Sequence, residues 1–150
     1  MMCHRFFRWV LPGLLIGILF VAGCGKKGDP IPPRLKLPAA IADLRAASSA
    51  EGMILRWSLP VSVEGIGSFR ILRSDTDAAE ACPGCPQDYR TLVQLAVADG
   101  RIEREGEKGI RYIDTAVKVG RFYSYRVVGC DPRGHCGEAS NAAQLIHETP

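Results

Sequence analysis

Aromatic residues make up only 7% of this 150-residue chain, and histidine occurs three times. His135 and His147 have no patterned partner, which removes the usual arrangements for a nucleophile with its base or for a metal centre. Ser140-Asn141 has neither a base nor an oxyanion loop around it. Glu103, Glu105 and Glu107 alternate with Arg104, Gly106 and Lys108, which reads as a solvated hairpin tip rather than a pair of catalytic carboxylates. Gly106 and Gly109 make no phosphate cradle, because no strand-to-helix step follows them. The formal charge is +3, without the clustered Lys and Arg that release phosphate counterions, so a nucleic-acid partner is not expected. Long helical periods and βαβ units are lacking too. These absences point away from an enzyme and away from any cofactor.

What the chain does have begins with a targeting pattern. Arg5 and Arg8 stand without an acid in the first eight residues, and an apolar run of 14 residues starts at Trp9. That is a positively charged n-region followed by an h-region. A membrane-spanning helix wants roughly 20 apolar residues, and Pro12, Gly13 and Gly17 weaken a permanent span further. The run ends in Phe20-Val21-Ala22-Gly23-Cys24, a small-residue step into a cysteine. This resembles the lipobox of bacterial lipoproteins. The resemblance implies cleavage after residue 23, a diacylglycerol thioether on Cys24, palmitate-type acylation and anchoring in a membrane. An uncleaved N-terminal anchor helix is the alternative, and either way the rest of the chain is exported. Residues 24–150 carry 17 basic and 16 acidic side chains, the balance of a single globular domain on a tether.

Residues 24–37 form that tether. Pro30, Pro32 and Pro33, with Pro38 just beyond, remove backbone donors and favour an extended, semi-rigid arm. Lys26 and Lys27 are either contacts to anionic headgroups or solvated linker charges. Cys24-Gly25-Lys26-Lys27-Gly28 is similar to the Cys-Gly-x-Lys-Gly start of small outer-membrane lipoproteins of the LptM type. That resemblance implies the lipopolysaccharide translocon as partner, and Gly25 after the cysteine implies sorting to the outer membrane, facing the periplasm.

From residue 41 the chain reads as short alternating strands. Residues 42–47 make a first strand, turned by residues 48–52. Met53, Leu55 and Trp57 then alternate with Ile54, Arg56 and Ser58, a period of two that buries the tryptophan. Pro60 closes that strand. Phe69 and Ile71 alternate with Ser68, Arg70 and Leu72, residues 92–98 and 110–113 supply two more strands, and residues 122–128 put Tyr123, Tyr125 and Val127 on one face. Asp131-Pro132-Arg133-Gly134 is a turn, and residues 139–146 form the last strand. Six or seven such strands predict an all-β antiparallel sandwich. Leu55-Arg56-Trp57, Phe69-Arg70-Ile71-Leu72-Arg73, Tyr112-Ile113-Asp114-Thr115 and residues 120–127, with Ser140-Asn141, resemble a fibronectin type III domain over residues 38–147. By that resemblance Trp57 is the core tryptophan. Tyr123 is the corner tyrosine, its hydroxyl bonding back near Val117 or Lys118.

Cys3 leaves with the signal peptide and Cys24 is lipidated, so Cys82, Cys85, Cys130 and Cys136 remain. An even number in an exported domain predicts disulfides. Cys130 and Cys136 flank a turn between antiparallel strands, where Cα atoms come within about 4.4–6.8 Å, and Cys82 pairs with Cys85 across Pro83-Gly84. Two alternatives stand beside this: a zinc knot built from all four thiolates, and a redox motif at Cys82-Pro83-Gly84-Cys85. The expectation is a lipid-anchored binding or structural module, whose most individual surface is the insertion at residues 74–90.

Overall fold

A computed structural model describes residues 36–60 and 65–148. The proposed signal peptide, Cys24 and all but the last two residues of the tether lie outside the described residues. Residues from Leu35 onward form a compact unit. Among the described residues no helix is long and apolar enough to cross a membrane.

The described residues form nine strand segments: β1 (Arg45–Ser49), β2 (Gly52–Ser58), β3 (Ser68–Asp77), β4 (Arg90–Ala96), β5 (Ile102–Glu105), β6 (Gly109–Asp114), β7 (Arg121–Cys130), β8 (Cys136–Ala139) and β9 (Ala143–Ile146). One sheet has the order β1-β2-β6-β5, and the other has β4-β3-β7, with β8 and β9 both pairing β7. Every pairing is antiparallel. This is the immunoglobulin-like sandwich, all-β as the alternation predicts, and it fits the fibronectin type III kind.

The period of two explains the core. Met53, Leu55 and Trp57 from β2 meet Phe69 and Ile71 from β3 and Tyr123, Tyr125 and Val127 from β7, all buried. Trp57 packs edge-on against Phe69 with ring centroids 5.3 Å apart. The corner tyrosine closes as the resemblance implies: the Lys118 N–H donates to the Tyr123 hydroxyl at 2.7 Å.

Several boundaries differ from those read in the sequence. The first strand begins at Arg45, not at residue 42, because Asp43 and Leu44 are held by other bonds. Asp43 Oδ1 accepts from the Ser58 N–H, and the Leu44 N–H donates to Asn141 Oδ1. It runs on through Ser48 and Ser49 because a two-residue turn suffices: Gly52 adopts a φ of 137°, and a Cβ there would lie 2.3 Å from the Asp114 carbonyl oxygen. The last strand is broken in two. Ser140 Oγ accepts from the Val127 N–H, the Ser140 N–H makes a last backbone bond to the Val127 carbonyl, and Asn141 brackets Leu44 with both ends of its amide, so the strand breaks after Ser140. The Glu/Arg alternation at 103–105 forms β5 paired with β6, and only the tip beyond it is turn. The third and seventh strands are each ten residues long.

The sandwich has two poles. The chain enters at one, where Pro38 lies so close to β8 that a Cβ on Gly137 would sit 2.1 Å from the Pro38 carbonyl oxygen. The other pole, distal to this entry, carries the β1–β2 turn, the β6–β7 turn and the long β3–β4 connection.

Candidate functional site

The four cysteines fall at the two poles. Cys130 and Cys136 face each other across β7 and β8 and are bridged, with Cα atoms 3.9 Å apart, closer than the range expected from sequence. Cys82 and Cys85 are bridged across Pro83-Gly84 with Cα atoms 5.5 Å apart, in an exposed stretch of the distal loop. A four-thiolate zinc centre needs all sulfurs within about 4 Å of one another. Here Cys130 pairs with Ser68 at the start of β3, whereas the loop rejoins the sheet at Arg90, opposite Arg73. Five strand residues, about 17 Å, separate those levels. The shared-zinc alternative is therefore overturned by the topology. Among the described residues no group of three or more His, Cys, Asp or Glu is placed to hold a metal ion.

The distal loop is built rather than loose. Asp77 ends β3 and caps a 3-10 turn at Ala78–Glu80, its carboxylate accepting from the Ala79 N–H at 3.1 Å. Past the Cys82–Cys85 bridge, the Gln87 side-chain amide donates to the carbonyl oxygens of Cys82 and Cys85. Tyr89 then lies over the outer face of the sheet. Its hydroxyl is 2.7 Å from Ser124 Oγ, and the Arg126 guanidinium sits 5.2 Å above its ring. This contact explains why Ser124, on the face of β7 pointing away from the core, is buried. Sequence reasoning singled out the insertion but not this anchor, since a single tyrosine carries no periodic signal.

Beneath the loop, the two sheets are joined by an ion pair whose carboxylate is buried and whose guanidinium is half-buried. Arg73 on β3 and Tyr125 on β7 are cross-strand partners, and both reach Asp114 on β6 of the opposite sheet. Asp114 Oδ2 accepts from Arg73 Nη1 and from the Tyr125 hydroxyl, each at 2.9 Å, and Oδ1 accepts from the Ala116 N–H at 3.0 Å. Burial works to lower the Arg73 pKa, but the hydrogen bond and charge of Asp114 outweigh it and raise the value above the ordinary one. Burial, reinforced by the negative Asp114, pushes the Tyr125 hydroxyl well above its ordinary pKa.

Two clefts open around this pair. One of about 440 Å³ is lined by Arg73, Ser74 and Asp75 from β3 and by Asp88, Arg90 and Leu92 from the strand entrance opposite. The second, about 360 Å³, shares Arg73 and Asp75 and adds Lys118, Arg121 and Tyr123. Arg121 pairs with Asp75 at 2.8 Å, while Arg90 and Asp88, 3.5 Å apart, are both largely exposed. Val119 stands 57% exposed at the tip of the neighbouring turn, the most exposed large apolar side chain described. At the entry pole His135 sits on Asp131, Nδ1 to Oδ2 at 3.0 Å, and Asp131 is held below the usual carboxylate range first by that bond and then by backbone N–H donors. His147, for which the sequence offers no partner, is buried with Nδ1 2.7 Å from Ser48 Oγ.

No family model matches the chain, and no curated protein does. Among solved structures it is similar to Astrotactin-2, described as a conserved vertebrate-specific and perforin-like membrane protein involved in neuronal development. That match has a TM-score of 0.51 at 16% identity and covers 75% of this chain and 22% of that one. It also matches the twitchin kinase region of C. elegans (TM-score 0.45, 10% identity, 73% and 17% covered). A further match is the family 28 exopolygalacturonase of Yersinia enterocolitica (TM-score 0.44, 13% identity, 75% and 21% covered). The chain thus spans about a fifth of the length of these structures. At such identities the likeness to Astrotactin-2 concerns the fold alone.

Proposed function

We propose that this chain is a lipid-anchored module of the bacterial outer membrane, facing the periplasm, that engages a protein partner through the distal pole of its sandwich. The observation that carries the reading is the division of labour between the poles. The chain enters at one pole. At the other, a disulfide-closed, tyrosine-anchored loop and two charged clefts are presented together. Recognition surfaces are commonly loops fixed by a rigid scaffold, and this loop is fixed three times over. Acyl chains on Cys24 and a proline arm would hold the entry pole toward the membrane and leave the distal pole free.

Two measurements test this. The native protein is expected to begin at Cys24 with acyl mass; a mass beginning at Met1 with no acyl group overturns the anchor. Photo-crosslinkers placed at positions 88, 118 and 119 are expected to capture a partner in cells, while the same group at 104 and 133 captures none. Capture confined to 104 and 133 overturns the choice of pole.

The similarity of Cys24-Gly25-Lys26-Lys27-Gly28 to LptM-type starts favours a narrower reading, in which the partner is the lipopolysaccharide translocon. Recovery of the translocon from solubilised outer membrane supports it, and reproducible absence sinks it. The exposure of Cys82 and Cys85 favours a thiol-exchange role as a third reading, which full function of a Cys82→Ser, Cys85→Ser variant would exclude.

A further inference from the structure

The cleft of about 440 Å³ lies where one sheet has a step in its edge. Pairing of β3 with β7 runs the full length of β3, to Asp77 opposite Arg121. On its other side, pairing of β3 with β4 stops at Arg73 opposite Arg90. Four residues of β3, Ser74 to Asp77, therefore have a strand neighbour on one side only. Which backbone groups this leaves open follows from the alternation of antiparallel ladders. The Ala78 N–H donates to the Gly120 carbonyl on the β7 side, in the same register as the β3–β7 ladder. Even-numbered residues of β3 thus bond toward β7, and odd-numbered ones toward β4. Asp75 and Asp77 direct their backbone groups into the step.

The connecting loop does not fill it. Tyr89 sends its side chain over the outer face of the sheet to Ser124, and the cleft beside β3 stays open. The entrance of β4 is bent as well: its register with β3 shifts between Ile71 and Leu72, leaving Leu92 as an extra residue, and Leu92 lines the cleft. A bulge ends regular pairing and re-aims a side chain, here supplying an apolar wall.

We propose that this step is a strand-addition site for an extended, basic peptide segment of the partner. The inference rests on the reading of the distal pole as the binding surface, and names the chemistry of what binds there. A segment in line with β4 would pair with the backbone of Asp75 and Asp77; three residues of extended chain span about 10 Å, the length of the step. Charge selects the sign. Asp75 and Asp88 line the cleft, and Asp77 ends the step. Arg121 pairs with Asp75 and Arg90 with Asp88, Arg73 is committed to the buried Asp114, and Asp77, with no basic side chain at ion-pair distance among the described residues, favours a Lys or Arg on the incoming strand.

The test uses the full chain in detergent micelles and a fluorescent Lys-Val-Lys-Val-Lys peptide, followed by anisotropy. Binding is expected, with a Glu-Val-Glu-Val-Glu peptide not binding. Methylation of alternate peptide nitrogens should weaken the lysine peptide about tenfold or more, since it removes the backbone donors. Asp88→Lys should weaken it about fivefold, because it reverses one exposed charge at the rim, and Glu138→Lys at the other pole should leave it unchanged. Failure of the lysine peptide to bind at millimolar concentration overturns the inference, as does indifference to N-methylation or equal binding of the glutamate peptide. Crosslinks from positions 88, 118 and 119 that persist in such a case leave the binding pole standing and remove only strand addition.

Discussion

Asp114 offers the sharpest test of what holds the two sheets together. Its carboxylate is buried and satisfies three donors drawn from both sheets: the Arg73 guanidinium, the Tyr125 hydroxyl and the Ala116 N–H. Asp114→Ala would leave Arg73 with a side chain only 21% exposed and its main counter-charge gone, besides an orphaned hydroxyl and an orphaned N–H. Removing one member of a buried ion pair costs about 3–5 kcal/mol. Arg73 retains Asp75 at 3.7 Å and the Ala116 carbonyl at 2.9 Å, which places the expected loss near the lower end, about 3 kcal/mol. That is a large share of the roughly 5–15 kcal/mol that stabilises a domain, and lowers the melting temperature by about 12 °C. Asp114→Asn keeps the shape and one acceptor and is expected to lose about 2 kcal/mol. Urea denaturation followed by Trp57 fluorescence measures each. The decisive control replaces both partners, Arg73→Met with Asp114→Leu. Buried pairs exchanged for apolar side chains are often neutral, so the double variant should be more stable than Asp114→Ala alone. A loss below about 1 kcal/mol for Asp114→Ala, or additive losses in the double variant, refutes the view that the pair acts as a unit.

Three further outcomes follow from the same geometry. Opening the Cys130–Cys136 ring of seven residues by Cys→Ser substitution at both positions should cost about 2.3 kcal/mol, and opening the Cys82–Cys85 ring of four about 1.9 kcal/mol, by loop-closure entropy. Denaturant midpoints report both, and a loss confined to one pair contradicts the entropic account. Stability should fall as pH rises above about 10, because Tyr125 and Tyr112 have raised pKa values in the folded state and ionise first in the unfolded one. The slope for a single tyrosine is about 1.4 kcal/mol per pH unit, and Tyr125→Phe should flatten an alkaline titration of the unfolding free energy, read from urea denaturation, by that amount. Gly52→Ala places a Cβ 2.3 Å from the Asp114 carbonyl oxygen at a φ of 137°, and should cost about 2 kcal/mol or more in thermal denaturation; a neutral result would show that the β1–β2 turn shifts freely.

The parts of this fold legible from sequence are those in which one physical rule acts alone. Trp57, Phe69, Ile71 and the Tyr123-Tyr125-Val127 row lie on the face that a period of two assigns, because burying one side of a sheet fixes strand register. Strand ends were less legible, since they are decided by side chains distant in sequence. Asn141 stops the ladder by binding Leu44, 97 positions away. Ser124, on the face of β7 opposite the Tyr123-Tyr125-Val127 row, is buried because Tyr89 covers it. His147 falls in the same class: its partner, Ser48, is 99 positions away.

The distal pole was least legible of all. Its cleft walls come from β3, from the entrance of β4 and from the turn after β6, so no window of sequence contains them. Arg73 lines both clefts while being pinned from behind by Asp114, and its guanidinium lies 5.5 Å over the Tyr123 ring, whose hydroxyl in turn holds the Lys118 N–H. One connected set of bonds therefore joins the cleft walls to the seam between the sheets. A ligand that enters such a site meets side chains already ordered by the core, so little rotamer entropy is lost on binding. On the proposed binding role, the ion pair orders the cleft walls even where an apolar pair would stabilise the sandwich equally well: Arg73→Met with Asp114→Leu should keep the fold and still widen the range of geometries open to Asp75 and Arg121.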